Sequence, residues 1–217
     1  IWAEPLQVEN QQIQSAAFPL ATKVSMANGV EEEPLASRAD VSRKVNVSFL
    51  HNEKSCADAL VEAAQKGECA VWVRNTVNDA LDAYDALVKE LGKENCLLFH
   101  SRFALQDRKQ IEKEVLTIFG KEGRVSDRKG KVLVATQVFQ ESLDADADLM
   151  ISDICPIDDL IQRAGRLHRH TRNELGEYQR GIQDARVEPL LYVHAPAWVA
   201  EPDKNWLSDS FQNTEYV

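Results

Sequence analysis

The chain predicts an α/β fold: a mostly parallel sheet with helices on both faces. Three observations carry this. From Val45 onward, short apolar runs alternate with segments of helical spacing. The runs are apolar almost throughout, as in Cys69-Ala-Val-Trp-Val73 and Lys131-Val-Leu-Val-Ala135, which suits strands covered on both faces. The segments between them are roughly 10 to 15 residues long, the length of a crossover helix in a right-handed βαβ unit.

The elements follow in order. Val45-Asn-Val-Ser-Phe-Leu50 alternates like a strand, and Ala57 to Gln65 fits a helix that stops at Gly67. Cys69 to Val73 is a buried strand. Val77, Ala80, Leu81, Tyr84, Leu87, Val88 and Leu91 keep helical spacing up to Gly92. Cys96-Leu-Leu-Phe99 is a strand, Leu105 to Phe119 a helix ending at Gly120, and Lys131 to Ala135 a strand. Leu149-Met-Ile151 is a further strand, Ile157 to Leu167 a helix, and Leu190 to Val193 the closing strand. The first 40 residues read as polar and irregular, a linker or part of another unit, with Glu31 to Glu33 beside Pro34. The tail beyond 195, with Pro196 and Pro202, reads as an exit linker or docking strip.

The 217 residues suffice for one large domain with tails, and a 44% hydrophobic share for a real core. No apolar run approaches the about 18 residues of a membrane span, so no membrane partner is expected. The start lacks a basic region followed by an apolar stretch, so it does not read as a signal peptide. It also lacks Met, which suggests a piece of something longer. Cys56, Cys69, Cys96 and Cys155 stand 13, 27 and 59 residues apart with no C-x-x-C, which predicts reduced thiols in a cytoplasmic protein.

A net charge of −10 argues at first against nucleic acid. Its distribution is uneven. Residues 100–131 carry nine basic and five acidic groups, residues 140–160 seven acids and no base, and residues 161–172 four arginines and no acid. Two cationic stretches are thus embedded in an acidic chain.

No G-x-x-x-x-G-K-[ST] occurs, so the chain does not predict a triphosphate cradle of its own. Asp144-Ala-Asp146-Ala-Asp148 imitates a calcium loop but has Leu149 at its sixth position and Cys155 at its twelfth. No metal site is expected. The chemistry concentrates in Gln162-Arg-Ala-Gly-Arg-Leu-His-Arg169. Arg163, Arg166 and Arg169 recur every three residues, near one face of the expected helix, and Gly165 clears space beside them. Guanidinium forks suit phosphate oxygens, so a triphosphate held by another domain is one expected partner. A surface helix neutralised by the acids of 140–160 is the structural alternative. Ser101 and Arg102 follow one strand, Thr136 and Gln137 another, where a parallel sheet presents its ligands. Helix capping by the two hydroxyls is the alternative to a phosphodiester contact.

In combination these stretches resemble a known family. Phe99-His-Ser-Arg-Phe103, Ala135-Thr-Gln-x-x-x-x-Ser-Leu-Asp144 and Gln162 to Arg169 look like motifs IV, V and VI of superfamily 2 helicases. The wording, with Asn75-Thr-Val77 and Phe18-Pro-Leu20, is similar to the CRISPR-associated helicase-nucleases of type I systems. The likeness covers roughly residues 40 to 195. One departure is that Gln140 and Glu141 stand where that family has Glu then Gln.

The resemblance implies a second RecA-like motor domain over 41–195, with 1–40 a connector from a missing first motor domain and 196–217 leading to a C-terminal domain. It implies ATP in the cleft between the two motor domains, with Mg2+ held by the missing one. Arg166 and Arg169 would be arginine fingers. Gln162, Gly165 and Asp144 would line the nucleotide site, Arg163 would pair with acids across the cleft, and Ser101, Arg102, Thr136 and Gln137 would hold single-stranded DNA. The whole protein would carry an HD nuclease and act with an RNA-guided surveillance complex, while this piece alone would be inactive. The other readings are a restriction or repair motor and a non-enzymatic α/β interaction module.

Overall fold

A computed structural model describes residues 15–25, 27, 29–36, 44–208 and 211; readings of the remaining positions lie outside the described residues. The chain divides into two compact units, 1–43 and 44–217.

The first unit corrects the reading of an irregular amino-terminal stretch. It holds an antiparallel hairpin of β1 (Leu20–Ser25) and β2 (Gly29–Pro34). Val24 pairs with Val30, and Lys23 lies opposite Glu31 at 3.7 Å, so the acidic run sits on a strand with a cation across from it. Gly29 takes the positive φ of 71° where the hairpin resumes.

The second unit is built on six strands: β3 (Asn46–Leu50), β4 (Ala70–Val73), β5 (Cys96–Phe99), β6 (Val132–Ala135), β7 (Leu149–Asp153) and β8 (Leu190–His194). All pair in parallel, in the order β3-β8-β7-β4-β6-β5. Five helices connect them: α1 (Glu53–Lys66), α2 (Val77–Leu91), α3 (Leu105–Phe119), the short α5 (Val138–Ser142), and α6 (Ile157–Ala164); a further turn, α4 (Val125–Arg128), precedes β6.

The pleat divides each apolar strand between two cores. Val71, Val73, Leu133 and Ala135 join Phe99, Phe119, Phe139 and Met150 beneath α3, α5 and α6. Ala70, Trp72, Val132 and Val134 join Leu60, Leu87 and Ile151 beneath α1 and α2. Asn52 caps α1 through Ser55 N–H at 2.8 Å, and Gly67 ends it at φ 85°. Thr76 caps α2 through Asp79 N–H at 3.1 Å.

The helices after β6 and β7 lie on one face, whereas α2, after the intervening β4, lies on the other. The carboxyl end of β4 is therefore flanked by points where the connections diverge, and crevices open there in such sheets.

The expected helix over 157–167 ends early. Beyond Ala164 the backbone tightens through Arg166 N–H to Arg163 O at 2.8 Å. It then leaves to bridge the segment before β7, with Ala147 N–H donating to Arg166 O and His168 N–H to Ala147 O, both at 3.0 Å. His168 takes φ 46°, a left-handed conformation uncommon outside glycine, as the chain turns. The tail also differs from a free exit linker, because Phe211 is buried against the His194 ring at 4.8 Å.

Candidate functional site

The strand-end loops bring two stretches to the carboxyl edge of the sheet, and a third runs from α6 to the segment before β7. After β5, the His100 ring stacks on Phe103 with centroids 4.1 Å apart, and His100 Nδ1 accepts Arg102 N–H at 3.2 Å. Burial, then the neighbouring Arg102 charge, pushes the His100 imidazole below its ordinary value. Ser101 and Arg102 are exposed, and Arg102 donates to Asn78 Oδ1 at 2.8 Å.

After β6, Thr136 N–H donates to Phe99 O at 3.1 Å, tying this loop to the end of β5. Thr136 is buried and Gln137 exposed. Neither α3 nor α5 has a side-chain cap bond, so capping does not occupy Ser101 or Thr136.

The third stretch separates the arginines that spacing placed on one face. Because α6 stops at Ala164, only Arg163 is on the helix. Its guanidinium is fully buried and bonded within this unit, to Gln140 Oε1 at 2.7 Å, Ser152 Oγ at 2.9 Å and Asp153 O at 3.3 Å. The expectation that Arg163 pairs with acids across a cleft is thereby corrected, since its donors turn inward. Arg166 is half-buried and donates to Gln140 O at 2.7 Å, while its Nε is buried without a partner among the described residues. Burial, then the Arg169 charge, lowers the Arg166 guanidinium.

Arg169 is exposed and hydrogen-bonds Asp144 through Nε. Burial opposes the charge on Asp144, yet that bond and the His170, Arg169 and Arg166 charges hold its carboxyl below the usual range. Gln162 is exposed on α6. A Cβ at Gly165 would meet Gln162 O at 3.0 Å, so the missing side chain relieves this turn itself.

Two networks escape composition and spacing. Asp153, fully buried at the end of β7, accepts Arg74 Nε at 2.9 Å and Asn75 N–H at 3.0 Å, and contacts His194 Nδ1 at 2.9 Å. Arg74 also reaches Glu53 at 2.7 Å and lies 4.4 Å from the centroid of the Trp72 ring. Burial opposes the Asp153 charge, but Arg74 and His194 hold its carboxyl well below the ordinary range.

The second network divides the calcium-like run. Asp146 takes Arg172 Nε at 2.7 Å, and Asp148 takes Arg186 at 2.7 Å and Arg128 at 3.0 Å. These acids neutralise arginines. Among the described residues no group of three or more acids, histidines or cysteines is placed to hold a metal ion. A cleft of about 690 Å3 opens here, beside Leu149 and Leu190 at the amino-terminal edge. It is remote from the strand-end loops, and its arginines are already paired.

The thiols carry no site chemistry. Burial pushes Cys56 up to about 12 and Cys96 up to about 11, and all four cysteines are free. Among the described residues no helix is long and apolar enough to cross a membrane.

Residues 66–172 match the family model for the CRISPR-associated nuclease/helicase Cas3, C-terminal. This stretch, just under half of the chain, carries the Cas3-like C-terminal family's domain. The chain is 44% identical over 117 residues to the CRISPR-associated endonuclease/helicase Cas3 of Escherichia coli K12, covering 53% of this chain and 13% of that protein. It is 38% identical over 166 residues to the putative CRISPR-associated nuclease/helicase Cas3 of Methanocaldococcus jannaschii, covering 76% of this chain and 21% of that one.

Among solved structures, T. fusca Cas3 superposes with a TM-score of 0.74 at 31% identity, over 94% of this chain and 24% of that one. T. fusca Cas3-ATP gives 0.72 at 31%, over 93% and 24%. A chain of a CRISPR RNA-guided surveillance complex, pre-nicking, gives 0.71 at 30%, over 94% and 26%. The fold is thus RecA-like, as in Cas3. The chain spans about a fifth or less of the curated Cas3 relatives it matches here.

Proposed function

We propose that this chain is the second motor half of an ATP-dependent DNA helicase of type I CRISPR interference. One observation carries the reading: Arg166, half-buried, is held through one terminal nitrogen by Gln140 O and makes no other side-chain hydrogen bond among the described residues. A guanidinium fixed at one nitrogen with donors left over suits a phosphate oxygen. The similarity to T. fusca Cas3-ATP supports a nucleotide as the source of that oxygen.

In this reading ATP lies between this unit and a first motor half, which also holds Mg2+. The described residues of this chain offer no acid cluster for the metal. Arg166 stabilises the charge that develops on the transferred phosphoryl group, and Arg169 joins it once released from Asp144. Gln162 and Asp144 line the nucleotide's edge. Ser101, Arg102, Gln137 and the backbone at Thr136 hold a single DNA strand across the ends of β5 and β6. Residues 1–40 connect to the first half and 196–217 lead onward. The whole protein carries an HD nuclease and acts in the cytoplasm with an RNA-guided surveillance complex; the likeness to a chain of such a complex supports this partner.

Arg166→Ala in the full-length protein should lower strand-stimulated ATP hydrolysis about a thousandfold, the lower end for an arginine finger. Unimpaired hydrolysis would refute the assignment. The 217-residue chain alone should hydrolyse no ATP; hydrolysis abolished by Arg166→Ala would show a complete site in this half.

A further inference from the structure

We propose that His100 is a positioning residue for Arg102: its imidazole closes the turn after β5 and so presents Arg102 to a phosphate of the bound strand. The inference rests on the reading of Arg102 as a strand-binding group, and adds what sets that group's place.

The turn spans the five residues between Phe99, the last of β5, and Leu105, the first of α3. Both ends are fixed. Phe99 pairs with Ala135, and its carbonyl accepts Thr136 N–H at 3.1 Å. Ala104 O accepts Arg108 N–H at 2.8 Å in the first turn of α3. Between these anchors stand His100, Ser101, Arg102 and Phe103, with no Gly or Pro to restrict the backbone. A side chain does so instead. His100 Nδ1 accepts Arg102 N–H at 3.2 Å, the reach of two residues by which Asn and Asp side chains close turns.

The ring is itself held in place. It stacks on Phe103 with centroids 4.1 Å apart and planes 3° from parallel, and it is buried where Ser101 and Arg102 are exposed. Only an unprotonated Nδ1 can accept, and the lowered basicity of this imidazole favours that form. Arg102 is held at a second point, because its Nη1 donates to Asn78 Oδ1 at 2.8 Å near the start of α2. Asn78 is neutral, so this bond orients the guanidinium without cancelling its charge. The remaining donors and the full charge are left for a phosphate oxygen.

The test is binding of a labelled single-stranded oligonucleotide to the full-length protein across a salt series. His100→Phe keeps a ring to stack and removes the acceptor. It should weaken binding about tenfold and flatten the salt slope by up to about 0.7, the share of one phosphate contact. In an Arg102→Ala background the same change should cost less than about twofold, since the group it positions is gone. A role in folding alone would cost the same in both backgrounds. If His100→Phe does not fold, two amides replace it. His100→Asn sets an oxygen near the place of Nδ1 and His100→Gln sets it one bond too far, so the Asn variant should bind at least about threefold tighter.

Undiminished binding by His100→Phe, an equal loss in the Arg102→Ala background, or equal affinity of the Asn and Gln variants overturns the proposal. If Arg102→Ala weakens binding while His100→Phe does not, only the positioning role fails. If Arg102→Ala binds with unchanged affinity and slope, the reading of Arg102 as a strand-binding group fails.

Discussion

Replacing Asp153 by Ala should destabilise this chain severely, and the structure gives the size. Asp153 is fully buried and serves three donors, two from the loop after β4 and one from β8: Arg74 Nε at 2.9 Å, Asn75 N–H at 3.0 Å and His194 at 2.9 Å. Without it, the buried Arg74 guanidinium keeps only the exposed Glu53 and the Trp72 ring. Breaking a buried ion pair costs about 3–5 kcal/mol, and an orphaned N–H adds about 1 kcal/mol or more. A loss of about 4 kcal/mol follows, which at a slope of about 2 kcal/mol/M moves the urea midpoint down by about 2 M.

Asp153→Asn separates charge from geometry. Its carbonyl can accept both Arg74 and Asn75 while its amide donates to the other tautomer of His194, so it should cost only about 1–2 kcal/mol. Arg74→Met as a background should shrink the Ala penalty, because no buried cation is then left unpaired. Since Asp153's carboxyl is held below its unfolded value of about 3.9, its stabilisation is complete above that pH and lost as pH falls toward the folded value. The reasoning is refuted by an Ala cost under about 1 kcal/mol, or by Asn and Ala variants of equal stability.

Two further outcomes are expected. Asp146→Ala should cost about 3 kcal/mol in urea unfolding, because Arg172 loses its 2.7 Å partner inside the fold; a loss below about 1 kcal/mol would mean that Asp148 and the nearby carbonyls suffice. Arg102→Ala should weaken single-stranded oligonucleotide binding by the full-length protein and flatten its salt slope by about 0.7, the share of one phosphate contact; an unchanged slope removes Arg102 from the strand path.

The strands were legible because each is an apolar run bounded by polar or glycine positions, and strands buried on both faces need no other signal. The stop of α6 was not. Its cause is a backbone bridge from Leu167 to Ala147, 20 residues earlier, which no local spacing reports. Arg163 shows the same limit: three arginines at intervals of three predict a common face only while the helix lasts. The hairpin was hidden because Glu31 to Glu33 look like a solvated linker until Lys23 is seen opposite Glu31. A usable signal for Arg74 did exist: it is a lone cation directly after the apolar Ala-Val-Trp-Val, and Asp153 closes Leu-Met-Ile-Ser-Asp on the neighbouring strand.

The charge pattern also means something narrower in the folded chain. Of the four arginines in residues 161–172, Arg163 and Arg172 are buried and bonded internally, and Arg128 in the other cationic stretch is spent on Asp148. The surface charge that 161–172 offers an anion therefore reduces to Arg166 and Arg169, and Asp144 already offsets Arg169. Half of the cations of 161–172 thus form an internal clamp, whereas of those in 100–131 only Arg128 is buried. What 161–172 leaves at the surface is two guanidiniums, and a phosphate delivered by a neighbouring domain would meet Arg166 already held by Gln140 O through one terminal nitrogen. A half-site depends on orientation of this kind, and the −10 of the whole chain does not oppose it.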